Sequence, residues 1–128
     1  MRSAVLVATA AVLLAPSAAQ AAPRETTTLL GTYGFGRADV IAAGGLAAGT
    51  WSSARVSSRF AGDDLVVTFV PPTTRSATEQ QIYTAMYNEV SDPRAECERV
   101  GADGVAKGVW MTYRCRTGIA PNYTLLVR

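Results

Sequence analysis

The chain has no histidine. That one absence removes Ser-His-Asp and Cys-His catalysis together with the usual zinc sites. Only two cysteines are present, Cys97 and Cys115, and they lack the C-x-x-C spacing that lowers a thiol pKa. There is no phosphate loop, and Gly31, Gly34 and Gly36 are wrongly spaced for a dinucleotide fingerprint. Acidic residues are nowhere dense enough for calcium, so no metal and no cofactor are expected. Paired carboxylates remain as the enzymatic option. Asp63-Asp64 is the candidate pair, but it reads as part of a hairpin turn, where Asp serves local hydrogen bonding. A net charge of +2 from twelve basic and ten acidic residues gives no reason to expect nucleic acid as a partner.

What is present begins with an export segment. Arg2 supplies the positive start, and Ala4 to Ala15 is apolar but shorter than the ~20 residues that span a bilayer. Pro16 ends the run, and Ala19-Gln20-Ala21 is a small-x-small cleavage site. Residues 1–21 are therefore read as a signal peptide and 22–128 as one secreted, extracellular domain with no membrane span. In an exported chain the two cysteines are expected to form one structural disulfide.

Much of the domain reads as written twice. Residues 38–56 and 97–115 match at an offset of 59, with Trp51 and Trp110 in register and Arg55 aligned with Arg114. Apolar and small residues recur at helical spacing in Ala38, Ile41, Ala42, Gly45 and Leu46, and again in Cys97, Val100, Gly101, Gly104 and Val105. Asp92-Pro93 supplies a helix start, and Gly49 and Gly108 suit helix stops. Extended segments precede each helix at Thr27–Tyr33 and Gln81–Asn88. Two strands follow each, Trp51–Phe60 with Leu65–Val70, and Trp110–Arg116 with Tyr123–Val127. The order predicts an α+β fold: two βαββ repeats, about 27–70 and 81–128, forming a mainly antiparallel sheet with two helices on one face.

The disulfide sets the phase of one strand. Cys115 must face the helix that carries Cys97, so Met111 and Tyr113 share its side. Trp110, Thr112, Arg114 and Arg116 then face the other way. The aligned residues of the first copy are Trp51, Ser53 and Arg55. A doubled Trp-hydroxyl-Arg stripe fits ligand binding, since indoles stack on sugar rings and guanidinium forks grip carboxylates. The competing reading folds each Trp into the core and leaves the arginines to solvate an open face.

From Ala95 onward, Cys97, Val100-Gly101, Gly104-Val105, Gly108, Trp110, Tyr113, Cys115, Tyr123, Leu125 and Val127 form a pattern that resembles small secreted actinobacterial proteins. That resemblance implies a fold and an extracellular address, not a reaction. Gly31-Thr-Tyr-Gly34, Arg37-Ala38 and Leu46-Ala-Ala-Gly49 are more weakly similar to SPOR-type peptidoglycan-binding repeats. Gly108-Val109-Trp110 with Tyr113-Arg114 is similar to secreted inhibitors of the subtilisin-inhibitor type. Neither likeness transfers functional residues. The expectation is a non-catalytic binding protein that engages cell-wall glycan or another secreted protein through Trp51, Ser53, Arg55, Trp110, Thr112 and Arg114. The alternatives are a protease-inhibitor-like protein acting through loop 71–78 or 118–122, or a small carboxylate-dependent hydrolase.

Overall fold

The computed structural model describes residues 24–128, so the export segment and its cleavage site lie outside the described residues. The elements run β1 (Thr26–Tyr33), α1 (Arg37–Ala47), β2 (Ser53–Arg59), β3 (Gly62–Phe69), β4 (Gln80–Ala85), α2 (Pro93–Ala106), β5 (Tyr113–Thr117) and β6 (Tyr123–Val127). The fold is α+β, and no described helix is long and apolar enough to cross a membrane.

Helix α2 starts where Asp92-Pro93 predicts, with the Asp92 carboxylate accepting the Ala95 N–H at 3.0 Å. Helix α1 has no capping side chain of its own. Asp63 of β3 supplies one, accepting the Gly36 N–H at 2.8 Å and setting a negative charge at the positive end of the helix. Both helices close alike: Gly49 and Gly108 take left-handed φ values of 72° and 75°. Thr50 and Val109 then donate back to the carbonyls of Gly45 and Gly104, a Schellman closure.

That closure decides where the tryptophans go. The sequence pattern starts the next strands at Trp51 and Trp110, whereas the strands begin at Ser53 and Tyr113. Each indole lies instead over a glycine of the helix it follows. A Cβ on Gly45 would collide with the Trp51 ring, and one on Gly104 with the Trp110 ring. These helix glycines are seats for indoles.

The strands form two separate three-stranded antiparallel sheets, ordered β1-β3-β2 and β4-β6-β5. This corrects the expected single sheet beneath both helices. The first strands, β1 and β4, meet the other half's helix: α2 packs on β1 and α1 on β4. The fit at these crossings is reciprocal. Asp103 of α2 lies over Gly31, and Tyr83 of β4 lies over Gly44 of α1, with no room for a Cβ at either glycine. One continuous core results, joining Leu30, Ile41, Trp51, Leu65, Val67 and Phe69 to Ile82, Val100, Trp110, Leu125 and Val127. Asp63-Asp64, expected in a turn, belong to β3.

The disulfide Cys97–Cys115 ties α2 to β5 across 18 residues. Reducing it should lower stability by about 3 kcal/mol on the chain-entropy account, read as a shift in urea midpoint. Gly104→Ala gains about 1 kcal/mol of helix propensity but drives a methyl into the Trp110 ring. Overpacking costs ~1–3 kcal/mol where surroundings adjust and more against a wedged indole. A lower urea midpoint is expected, and an unchanged one would mean that the indole is not seated there.

Candidate functional site

Neither tryptophan reaches a surface. Trp51 is 2% exposed and Trp110 3%, and their rings stack on each other with centroids 6.3 Å apart. Each indole N–H donates to a helix carbonyl nine residues earlier, Trp51 to Ala42 at 3.0 Å and Trp110 to Gly101 at 2.9 Å. Trp51 and Trp110 therefore drop out of the anticipated stripe. Strand alternation counted back from Cys115 does not reach Trp110, because the chain turns between them.

The remaining residues keep the direction read from the sequence. Ser53 and Arg55 pair with Thr68 and Val66, on the opposite face to Ala54 and Val56, which pack against the core. Arg114 and Arg116 pair with Leu126 and Thr124, opposite Cys115 and Leu125. Ser53 and Arg55 thus lie on one sheet and Thr112 and Arg114 beside the other, so the structure does not bring the two rows into one site. On the first sheet the row ends in an Arg59–Asp64 ion pair at 3.3 Å. Asp64 also accepts the Thr32 hydroxyl. Its neighbour Asp63 is buried. Adjacent strand residues face opposite ways, so these carboxylates do not flank one substrate.

On the second sheet the row opens into a pocket of about 170 Å³ lined by Arg75, Glu79, Thr112, Tyr113, Arg114, Leu126 and Arg128. Arg114 donates from Nε and Nη2 to both carboxylate oxygens of Glu79, at 2.8 and 2.9 Å. This bidentate grip holds the Glu79 carboxyl below the usual carboxylate range, and the charges of Arg114, Arg128 and Arg116 add to the effect. Arg128 donates to the carbonyls of Ser76 and Ala77 at 3.0 and 2.6 Å. Its Nε and Nη2 thereby hold the connecting loop against the sheet. Thr112 is fixed in turn by backbone bonds to Arg128. One carboxylate thus stands among four guanidinium groups, and Arg75 has no ion pair among the described residues.

Sequence reasoning found Thr112 and Arg114, reached Arg75 only as part of the candidate inhibitory loop 71–78, and missed Glu79 and Arg128. Arg75 and Glu79 lie in a segment that reads as a joining loop, and Arg128 follows the last strand. Isolated charges in a loop and after a strand carry no local signal. The β5–β6 hairpin sets Arg128 near Arg114, and the long-range β4–β6 pairing brings the loop end with Glu79 to the same place.

A second polar cluster lies where the halves meet. Arg37 grips Glu96 through Nε and Nη2 at 2.8 and 3.0 Å and reaches Glu89 at 3.1 Å. The Tyr83 hydroxyl donates to Glu96 at 3.1 Å, and the Tyr33 hydroxyl to Asp103 at 2.9 Å. Burial pushes both phenols up, and the carboxylates they donate to push further in the same direction. Arg37 is itself pushed up, chiefly by its hydrogen bonds to Glu96. These groups satisfy one another and bind the halves together.

Compared with known proteins, the chain matches no family model, no curated protein and no solved structure.

The raised tyrosines fix the sign of an alkaline effect. A phenol that titrates higher when folded contributes stability that is complete below the unfolded value of about 10 and is lost as pH rises above it. The urea midpoint should therefore fall above about pH 10. It should fall less steeply in Tyr33→Phe/Tyr83→Phe, which have no buried phenol to ionise. Equal slopes in both proteins would show that these tyrosines do not govern alkaline unfolding.

Proposed function

We propose that this chain is a secreted, non-catalytic binding protein that holds an acidic cell-wall glycan on the outer face of its second sheet. The observation that carries this reading is the arginine pocket. Arg75, Arg114 and Arg128 line it with a single carboxylate, and Arg116 lies further along the same face. The bidentate grip of Arg114 on Glu79 supports a preference for carboxylates. A second carboxylate, or a phosphate, is the natural complement for the charge left over. Thr112 adds a polar wall, while the Tyr113 ring turns away to pack on Gly101 of α2. Without the indoles, recognition rests on ion pairing and not on sugar stacking.

We further infer that the two halves are copies of one βαββ unit. In support, residues 59 apart make the same helix closures and the same indole-to-carbonyl bonds, and the two sheets share one strand order.

The test is capture of residues 22–128 by isolated cell wall. These residues hold all eight elements and the whole core. Binding should weaken about tenfold or more when salt is raised from low to several hundred millimolar, as exposed charge pairing is screened. It should weaken comparably in Arg75→Gln/Arg114→Gln at low salt, with the urea midpoint little changed. Capture that ignores both salt and these substitutions would refute the reading.

A second reading, inhibition of a secreted protease, is favoured by the Arg128 clamp, which pre-forms an exposed loop just after Arg75. Pre-formed loops bind with less ordering cost. Stoichiometric loss of a serine protease's activity, relieved by Arg75→Ala, would support it.

A further inference from the structure

The four most exposed of the large apolar side chains among the described residues are gathered by the topology at one end of the molecule. Phe60 is 103% exposed and Ile119 112%, each at the tip of its half's hairpin, nine residues after the buried tryptophan. Phe35 and Tyr87 are also exposed, each five residues after the bulged residue of its half's first strand, Leu30 or Ile82. Tyr33 pairs with Asp63, which sets the Phe35 loop beside the Phe60 turn. Ala85 pairs with Tyr123, and the Tyr87 N–H donates to Asn122 Oδ1 at 2.8 Å, which sets the Tyr87 loop beside the Ile119 turn. Arg37 bonds to Glu89, and Gly34 and Val90 wall one pocket, so the two pairs of loops share one end.

We propose that this end is a docking surface for an anionic lipid bilayer, entered by Phe35, Phe60, Tyr87 and Ile119. Large apolar side chains this exposed and gathered at one end mark an interaction site. Its form favours lipid over protein: the apolar groups stand on four separate loops and do not line the pocket between Gly34 and Val90. Separate tips can enter an interface independently, with no complementary surface required. The charge around them points the same way. Asp63 caps α1, Asp64 holds Thr32 and Arg59, Glu89 and Glu96 hold Arg37, and Asp92 caps α2. Those carboxylates are engaged within the protein, and the exposed Asp39 in the first turn of α1 has no partner among the described residues. Arg94 in the first turn of α2 and Arg116 at the end of β5 have no ion pair among the described residues, which leaves a basic collar for lipid phosphates. Apolar insertion joined to electrostatic attraction is the usual recipe for reversible binding at a membrane surface.

The test is sedimentation of residues 22–128 with vesicles of phosphatidylcholine alone and of equimolar phosphatidylcholine and phosphatidylglycerol. Binding to the anionic vesicles is expected. It should fall about tenfold or more for each tip removed in Phe60→Ser/Ile119→Ser, as loss of large inserted side chains implies. Arg94→Gln/Arg116→Gln should lower binding to the anionic vesicles and remove their advantage over phosphatidylcholine. Phe35→Ser/Tyr87→Ser provides a second tip variant should the first fail to fold. The pocket variant Arg75→Gln/Arg114→Gln should still bind vesicles, which keeps this inference separate from the glycan reading. No binding by the parent chain at low salt, or equal binding by a folded tip variant, would overturn it. So would a concentration-dependent dimer that the tip substitutions abolish without any vesicle binding, since that would make the end a self-association surface.

Discussion

The stacked indoles of Trp51 and Trp110 are the contact on which the rest of the structure depends. Each needs a bare glycine on its own helix, gives its N–H to that helix's backbone, and meets the other indole where the halves join. Glycine in a helix interior costs about 1 kcal/mol against alanine, and α1 is only 11 residues long. Such helices depend on tertiary support, which arrives as Asp63 at the start of α1 and the disulfide on α2. Burying two large aromatics in one shared centre also explains how so short a chain forms a single core from two sheets that exchange no strand pairs.

What the sequence makes legible follows from constraints that act locally. Asp92-Pro93 and the positive-φ glycines at 49 and 108 mark helix ends by their own chemistry. Cys97 and Cys115 had only each other to pair with. Their bond then set the phase of β5, which is why Arg114 was aimed correctly. The same phase failed for Trp110 because alternation holds only while the chain stays extended, and the strand starts three residues later. Whether six strands make one sheet or two is not written in any strand's own pattern. It depends on α2 covering β1 and α1 covering β4, through long-range fits such as Asp103 on Gly31. The arginine pocket was only half legible for the same reason, since Arg75, Glu79 and Arg128 reach Arg114 through hairpin register and loop path.

The two surfaces proposed here use different chemistry and centre on different parts of the fold, with Arg116 at the end of β5 common to both. The pocket is a sheet face on which a loop has been clamped, so its shape is set by hydrogen bonds to backbone carbonyls. The apolar end consists of turns, where side chains contribute little to the core. That separation lets either surface change in sequence without disturbing the indole centre.

Arg37 and Glu96 each lie five residues before the carbonyl that accepts an indole N–H. They hold matching places in the two helices, yet carry opposite charge. Two first halves brought together would set guanidinium against guanidinium, and two second halves carboxylate against carboxylate, at the 2.8 Å approach that now joins them. The halves therefore recognise each other and reject themselves. The one exchange of partners that preserves this contact is between two whole chains, each lending its second half to the other across the loop that joins β3 to β4.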